Sequence, residues 1–160
     1  MNAAFLMTVI GVSNLFGSAI HGWFVDLGHV SPMFVSGCGW FVSGLSLLFV
    51  PVADSYMILV LIAATFGFAN SIAYPLMCGV SMKLCVGTHD LSSAFGWLLL
   101  SLGVGNTVGP PLAGLLYDGT LNYNLSFILA GGTLILTAFL LFIQIIIKRC
   151  QGQNKINERR

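Results

Sequence analysis

The stretch GVGNTVGPPLAGLLYD, residues 103–118, ends an uncharged run that begins at residue 91. The run 91–117 is longer than the roughly 20 residues with which a helix crosses a bilayer. Glycines 103, 105, 109 and 114 and the pair Pro110–Pro111 fall inside it. In water such a helix would be heavily penalised. In a membrane, neighbouring helices can approach the glycines, satisfy carbonyls freed by the prolines, and hold a bend. The stretch therefore reads as a membrane helix interrupted at Gly109, Pro110, Pro111 and Gly114. Two explanations stand side by side: a packing kink, or a break of the kind that lines midplane sites in carriers.

Composition extends this reading to the whole chain. Of 160 residues, 57% are hydrophobic and 7% are charged, against about 25% charged in a soluble domain. Such a chain cannot cover a soluble core with a polar shell. The few charges divide it into five uncharged runs, 1–25, 27–53, 55–82, 91–117 and 119–147. We expect an all-α membrane protein with five transmembrane helices, spanning about 3–25, 32–52, 56–80, 91–117 and 127–147, and a basic tail over 148–160.

Net charge is +1, and no basic patch interleaved with aromatics suggests nucleic acid. The first run lacks a basic leader and carries Asn14, Ser18 and His21, unlike a cleavable signal peptide. Cys38, Cys78, Cys85 and Cys150 show no metal-ligand spacing and are expected as free thiols. No nucleophile–base set points to an enzyme, and no cofactor is implied. A channel would want a charged ring or a filter-like repeat, and neither is visible.

Orientation follows from the basic residues. Lys148, Arg149, Lys155, Arg159 and Arg160 lie in the tail, and Lys83 lies in the link between the third and fourth spans. With the tail cytoplasmic, all six fall on one side. The N-terminus is then outside, which suggests at least one further upstream helix. The tail itself is expected to be disordered, its charges acting as a topology anchor.

Polar residues mark three faces. On the first helix Asn14, Ser18 and His21 recur at helical spacing. On the third, Asn70, Ser71, Tyr74 and Cys78 do so, with Pro75 expected to bend the cytoplasmic half. On the fourth, Ser92, Gly96, Gly103, Asn106 and Pro110 align. Intramembrane polar groups usually face a bundle interior or a water-filled path. The alternative is hydrogen-bonded helix packing with no solute, and for His21 a purely structural histidine. The second and fifth helices lack charged groups and read as peripheral, packing inward through small residues. Asn124, Leu125 and Ser126 form an N-glycosylation pattern beside the membrane that we expect to be unused.

Several stretches together carry a family resemblance: IGVSN at 10–14, GWFVD at 22–26 with Gly22 and Asp26 at its ends, DLSSAFG at 90–96, GPPLAGLLYD at 109–118, NYNLSF at 122–127 and Ala130-Gly131. The pattern resembles the second half of a monocarboxylate transporter, within the major facilitator superfamily. The resemblance covers almost the whole chain, and its Gly-Pro-Pro-Leu-Ala-Gly stretch is its most specific part. It implies helices eight to twelve of a twelve-helix symporter or related carrier, with the ninth and twelfth peripheral. It also implies a lipid-embedded protein, alternating access for a small organic solute, the plasma membrane, and for some members a single-span accessory glycoprotein. Proton-coupled members carry an arginine in the eighth helix and an acid one turn earlier. Here Ser18 and Asn14 stand at those positions. Leu27, Gly28 and His29 replace the basic residues that follow the Gly-x-x-x-Asp motif. Two expectations result. One is a carrier segment whose path is lined by Asn14, Ser18, His21, Asn70, Ser71, Tyr74 and Asn106. The other is a partial or truncated chain, inactive alone, that pairs with its missing N-terminal helices or another membrane protein.

Overall fold

The computed structural model describes residues 2–26, 31–53, 55–81 and 90–157, with side chains described for 4–20, 31–53, 55–78, 90 and 92–147. Five long helices follow in order: α1 Asn2–Asp26, α2 Pro32–Phe49, α3 Tyr56–Pro75, α4 Leu91–Thr120 and α5 Asn124–Asn157. A 3-10 turn, Val50–Val52, closes α2, and a π-helical segment, Leu76–Ser81, continues α3. No strand occurs among the described residues. Pro32–Val52, Tyr56–Cys78, Ser92–Thr120 and Asn124–Ile147 are each long and apolar enough to cross a membrane, and α1 contributes the shorter apolar stretch Ala4–Ile20.

Local chemistry sets the ends. Pro32 opens α2, where its missing N–H costs nothing, and the extended Ser31 offers its carbonyl to the N–H groups of Phe34 and Val35 at 2.9 and 3.3 Å. The C-terminal end of α4 is closed by Leu121 in the left-handed region at φ 54°, its N–H donating to the Tyr117 carbonyl at 2.7 Å. Glycine usually takes that position. Here the Tyr117 and Tyr123 rings stack across the turn with centroids 4.4 Å apart.

The helices pack in the order α1, α3, α2, α5, with α2 between α3 and α5. The contacts are made by small residues, as between helices in lipid. A side chain on Gly67 would meet the Ile10 carbonyl oxygen at 2.7 Å, and one on Gly17 would run into Ser71. Gly39 lies against Ala73. Gly44 and Gly131 face each other so closely that a Cβ on either would come within 3 Å of the other's carbonyl oxygen. The interior is accordingly made of Ser36, Ser43, Ser46, Ser71, Ala69, Ala73 and Ala138, with Met33 and Leu76 as its larger members. Phe34, Phe41, Phe49, Leu61 and Phe139 point outward. α2 does pack through its small residues as expected, but it is the centre of this packing.

Two expectations need correction, and one, at Pro75, is refined. The glycine–proline stretch does not interrupt α4, which remains α-helical from Leu91 to Thr120 with Pro110 and Pro111 inside. No described residue packs on α4 at this point, since none lies within 4 Å of a Cβ placed on Gly103, Gly105, Gly109 or Gly114. An uncovered helix has room for the proline rings without a change of register. The bend expected at Pro75 takes the form of a change from α to π geometry. Finally, the tail expected to be disordered continues α5 as far as Asn157. It contains no proline. Its one glycine, Gly152, costs a helix only about 1 kcal/mol.

Candidate functional site

The polar faces of α1 and α3 are brought side by side. Ile10 meets Gly67, and Gly17 meets Ser71 and the Phe68 carbonyl, so the two helices run parallel along this edge. Asn14 lies between Ile10 and Gly17 in sequence and is half-buried. Asn70, between Gly67 and Ser71, is half-buried as well. Ser18 is exposed beside Gly17. Ser71 is buried, and its hydroxyl donates to its own helix at the Phe68 carbonyl, 2.7 Å away. That bond leaves it a packing group against Gly17. Tyr74, one turn beyond Asn70, is 40% exposed, and Cys78 follows it four residues on.

α4 does not join this pair. Its principal contact is with α5. Asn106, Gly109, Pro110, Pro111 and Gly114 are all exposed. The Thr107 hydroxyl turns back to the Gly103 carbonyl at 2.8 Å. Asn106 therefore stands apart from Asn14 and Asn70 in this chain. His21, Gly22 and Asp26 belong to the helical backbone of α1, and their side chains lie outside those described.

Among the described residues, two cavities border the packed helices. One, of about 340 Å³, lies among Leu6, Ile10, Leu47, Ile62, Phe66 and Phe127. The other, of about 460 Å³, lies between α2 and α3 and includes Val42, Phe49, Ile58 and Leu61. Neither includes Asn14, Asn70 or Asn106. The first is wholly apolar, and in the second Ser46 and Thr65 also line the space with hydroxyls that donate to carbonyls of their own helices, so both linings offer a desolvated polar solute little compensation. Among the described residues no cluster of His, Cys, Asp or Glu is placed to hold a metal. Cys38 and Cys78 are free thiols, while Cys85 and the side chain of Cys150 lie outside what is described.

One residue in the bundle carries no sequence signal of its own. Ser36 sits in α2, among other serines and glycines, fully buried. Its hydroxyl crosses to α3 and donates to the Ala73 carbonyl at 3.0 Å, next to Pro75. Only the tertiary pairing of α2 with α3 distinguishes it from Ser43 or Ser46.

Comparison with known proteins agrees with this architecture. The family model of the Major Facilitator Superfamily matches residues 2–155. Monocarboxylate transporter 12-B of Danio rerio is 34% identical over 162 aligned positions, which cover 98% of this chain and 33% of that protein. Monocarboxylate transporter 12 of Homo sapiens is 35% identical over 153 positions, covering 92% of this chain and 29% of the relative. Monocarboxylate transporter 9 of Rattus norvegicus is 30% identical over 141 positions, covering 88% and 27%. The chain thus spans about a third of the length of the curated relatives it matches. An all-α bundle of apolar helices, packed through small residues and matched along nearly all its length, makes this chain a multi-pass integral membrane protein that belongs to the Major Facilitator Superfamily.

Proposed function

We propose that this chain supplies the eighth to twelfth helices of a secondary carrier that moves a small, monocarboxylate-like organic solute by alternating access. The observation that carries the reading is the parallel pairing of α1 with α3. Gly17 and Gly67 close that pairing, and it sets the half-buried amides of Asn14 and Asn70 along a single edge. Ser18, His21, Tyr74 and Asn106 complete the path, while Ser71 packs against Gly17 between the two helices. Asn14 and Ser18 stand where proton-coupled relatives are expected to carry an acid and an arginine. Recognition in this chain then rests on hydrogen bonds, with no fixed cation to hold a carboxylate. In this reading the tail is cytoplasmic, the protein resides in the plasma membrane, and the remaining helices of a longer carrier cover α4 and bring Asn106 to the path.

A second reading, in which the chain transports nothing by itself, draws on the exposure of α4. Alternating access requires two halves moving about a midplane site, and here one of the three polar faces is uncovered. Uptake of candidate monocarboxylates by cells expressing the complete protein tests the first reading. Asn14→Leu and Asn106→Leu should each lower uptake by roughly ten-fold or more, given that each removes a hydrogen bond from a desolvated site. Unchanged uptake in both variants would remove these residues from the path. Uptake by the 160-residue chain alone would remove the second reading.

A further inference from the structure

We propose that Ser36 is a positioning residue. Its hydroxyl clasps α3 at Ala73 and so fixes where that helix changes from α to π geometry. The consequence for transport rests on the carrier reading above, whereas the clasp itself does not.

Pro75 has no N–H, so the Ser71 carbonyl loses the donor four residues on, and the ring crowds the same carbonyl. The next free amide, that of Leu76, bonds only three residues back, to Ala73. Beyond it Leu76–Ser81 is π-helical. A π turn holds one residue more than an α turn, which rotates the rest of the helix by about 100°. The position of the transition therefore decides which side chains continue the face begun by Asn70 and Tyr74. Cys78, four residues after Tyr74, lies just past it.

Pro75 starts the disturbance from within α3, and a second hold on its position comes from α2. Ser46, Thr65 and Ser71 all bond carbonyls of their own helices, at 2.9, 2.9 and 2.7 Å. The hydroxyls of Thr8, Ser101, Thr107, Thr133 and Thr137 do the same. Ser36 differs from all of these in reaching to the backbone of another helix. Ser36, Ala73 and Leu76 are fully buried, so no bulk water competes for the bond. Gly39, one turn further along α2, lets the Ala73 backbone come close enough to form it.

The test uses the complete carrier with Cys78 as the reporter thiol, and with Cys38, Cys85, Cys150 and any cysteine outside these 160 residues changed to serine. The rate of Cys78 modification by a small methanethiosulfonate is measured alongside the KM and maximal rate of uptake. Ser36→Ala should change the Cys78 rate by roughly two- to ten-fold, the range of one net hydrogen bond. It should lower the maximal rate of uptake and leave KM nearly unchanged, because Ser36 touches no solute. Ser46→Ala, which removes a bond inside one helix, should alter neither. The decisive comparison is Ser36→Ala in a Pro75→Ala background. There the missing N–H is restored, and Ser36→Ala should have no further effect. Equal effects with and without Pro75 would overturn the clasp, as would a Cys78 rate unchanged by Ser36→Ala. If Ser36→Ala does not reach the membrane, Ser36→Gly, which also removes the hydroxyl and adds no thiol, is read by the same criteria. A changed Cys78 rate with no uptake of any solute would leave the clasp standing and remove the carrier reading alone.

Discussion

α3 and α4 both contain proline, and the structure treats them differently. In α3, Pro75 lies between two packed neighbours: α1 on the side of Gly67 and Ser71, and α2 on the side of Ala69 and Ala73. The helix cannot lean away from the ring, and it takes up an extra residue as a π turn. In α4, Pro110 and Pro111 deprive the Asn106 and Thr107 carbonyls of their usual donors, yet the helix keeps its α register. None of its membrane-length apolar stretch is buried. The same local defect therefore has two outcomes, and cover by neighbours decides between them.

The strongest way to break this contrast is to fill the glycines. Gly17→Leu or Gly67→Leu would drive side-chain atoms into α3 or α1 backbone, and overpacking of this kind costs about 1–3 kcal/mol or more. We expect loss of monodisperse protein in detergent, seen by size-exclusion chromatography. Gly103→Leu and Gly109→Leu meet nothing within 4 Å in this chain and should be tolerated in it. In the complete carrier they should be damaging if other helices cover α4. Tolerance in both settings would show that α4 remains uncovered.

The next effect is that of the prolines themselves. Pro75→Ala should allow α geometry to run on past residue 75 and change Cys78 modification by several-fold, the scale of one recovered hydrogen bond. Pro110→Ala should raise the helix stability of α4 by up to about 3 kcal/mol without moving any packed neighbour in this chain. Circular dichroism during thermal unfolding, set beside the thiol assay, separates the two. A smaller effect is expected at the turn beyond α4. Tyr123→Ala removes a stacked pair worth about 0.5–1.5 kcal/mol and should loosen the turn, read as faster protease nicking between α4 and α5. Smallest of all, Asn124→Gln should leave gel mobility unchanged, with or without glycosidase. Asn124 opens α5, and the Ser126 hydroxyl of the pattern is buried without a partner.

Much of this was legible along the chain. The charge-free runs marked the helices because a charge at midplane is costly. The small residues of α2 marked its packing face because helices in lipid associate through close approach. Pro75 announced a disturbance in α3. The amides Asn14 and Asn70 could be assigned to faces by periodicity alone. What could not be assigned was whether those faces meet. The structure places α1 against α3 and leaves Asn106 of α4 outside the pair. Ser36 was the least legible residue, since its partner lies 37 residues away on another helix and its own helix shows other serines and glycines of similar size within one turn or two. The helical tail was misread for a related reason: its polar composition suggested disorder, but a helix already nucleated over α5 extends cheaply through residues that lack a breaker.

By itself the sequence determined that this is a helical membrane protein, that its apolar runs form helices, and which residues on each helix are polar. These follow from transfer energies and from the 3.6-residue period, both local properties of the chain. Tertiary structure alone decided which polar faces adjoin, which proline shifts a helix into π geometry, and which serine crosses to another backbone. Those outcomes depend on how closely two helices approach, and that distance is set by glycines and alanines on separate helices that only folding brings opposite one another.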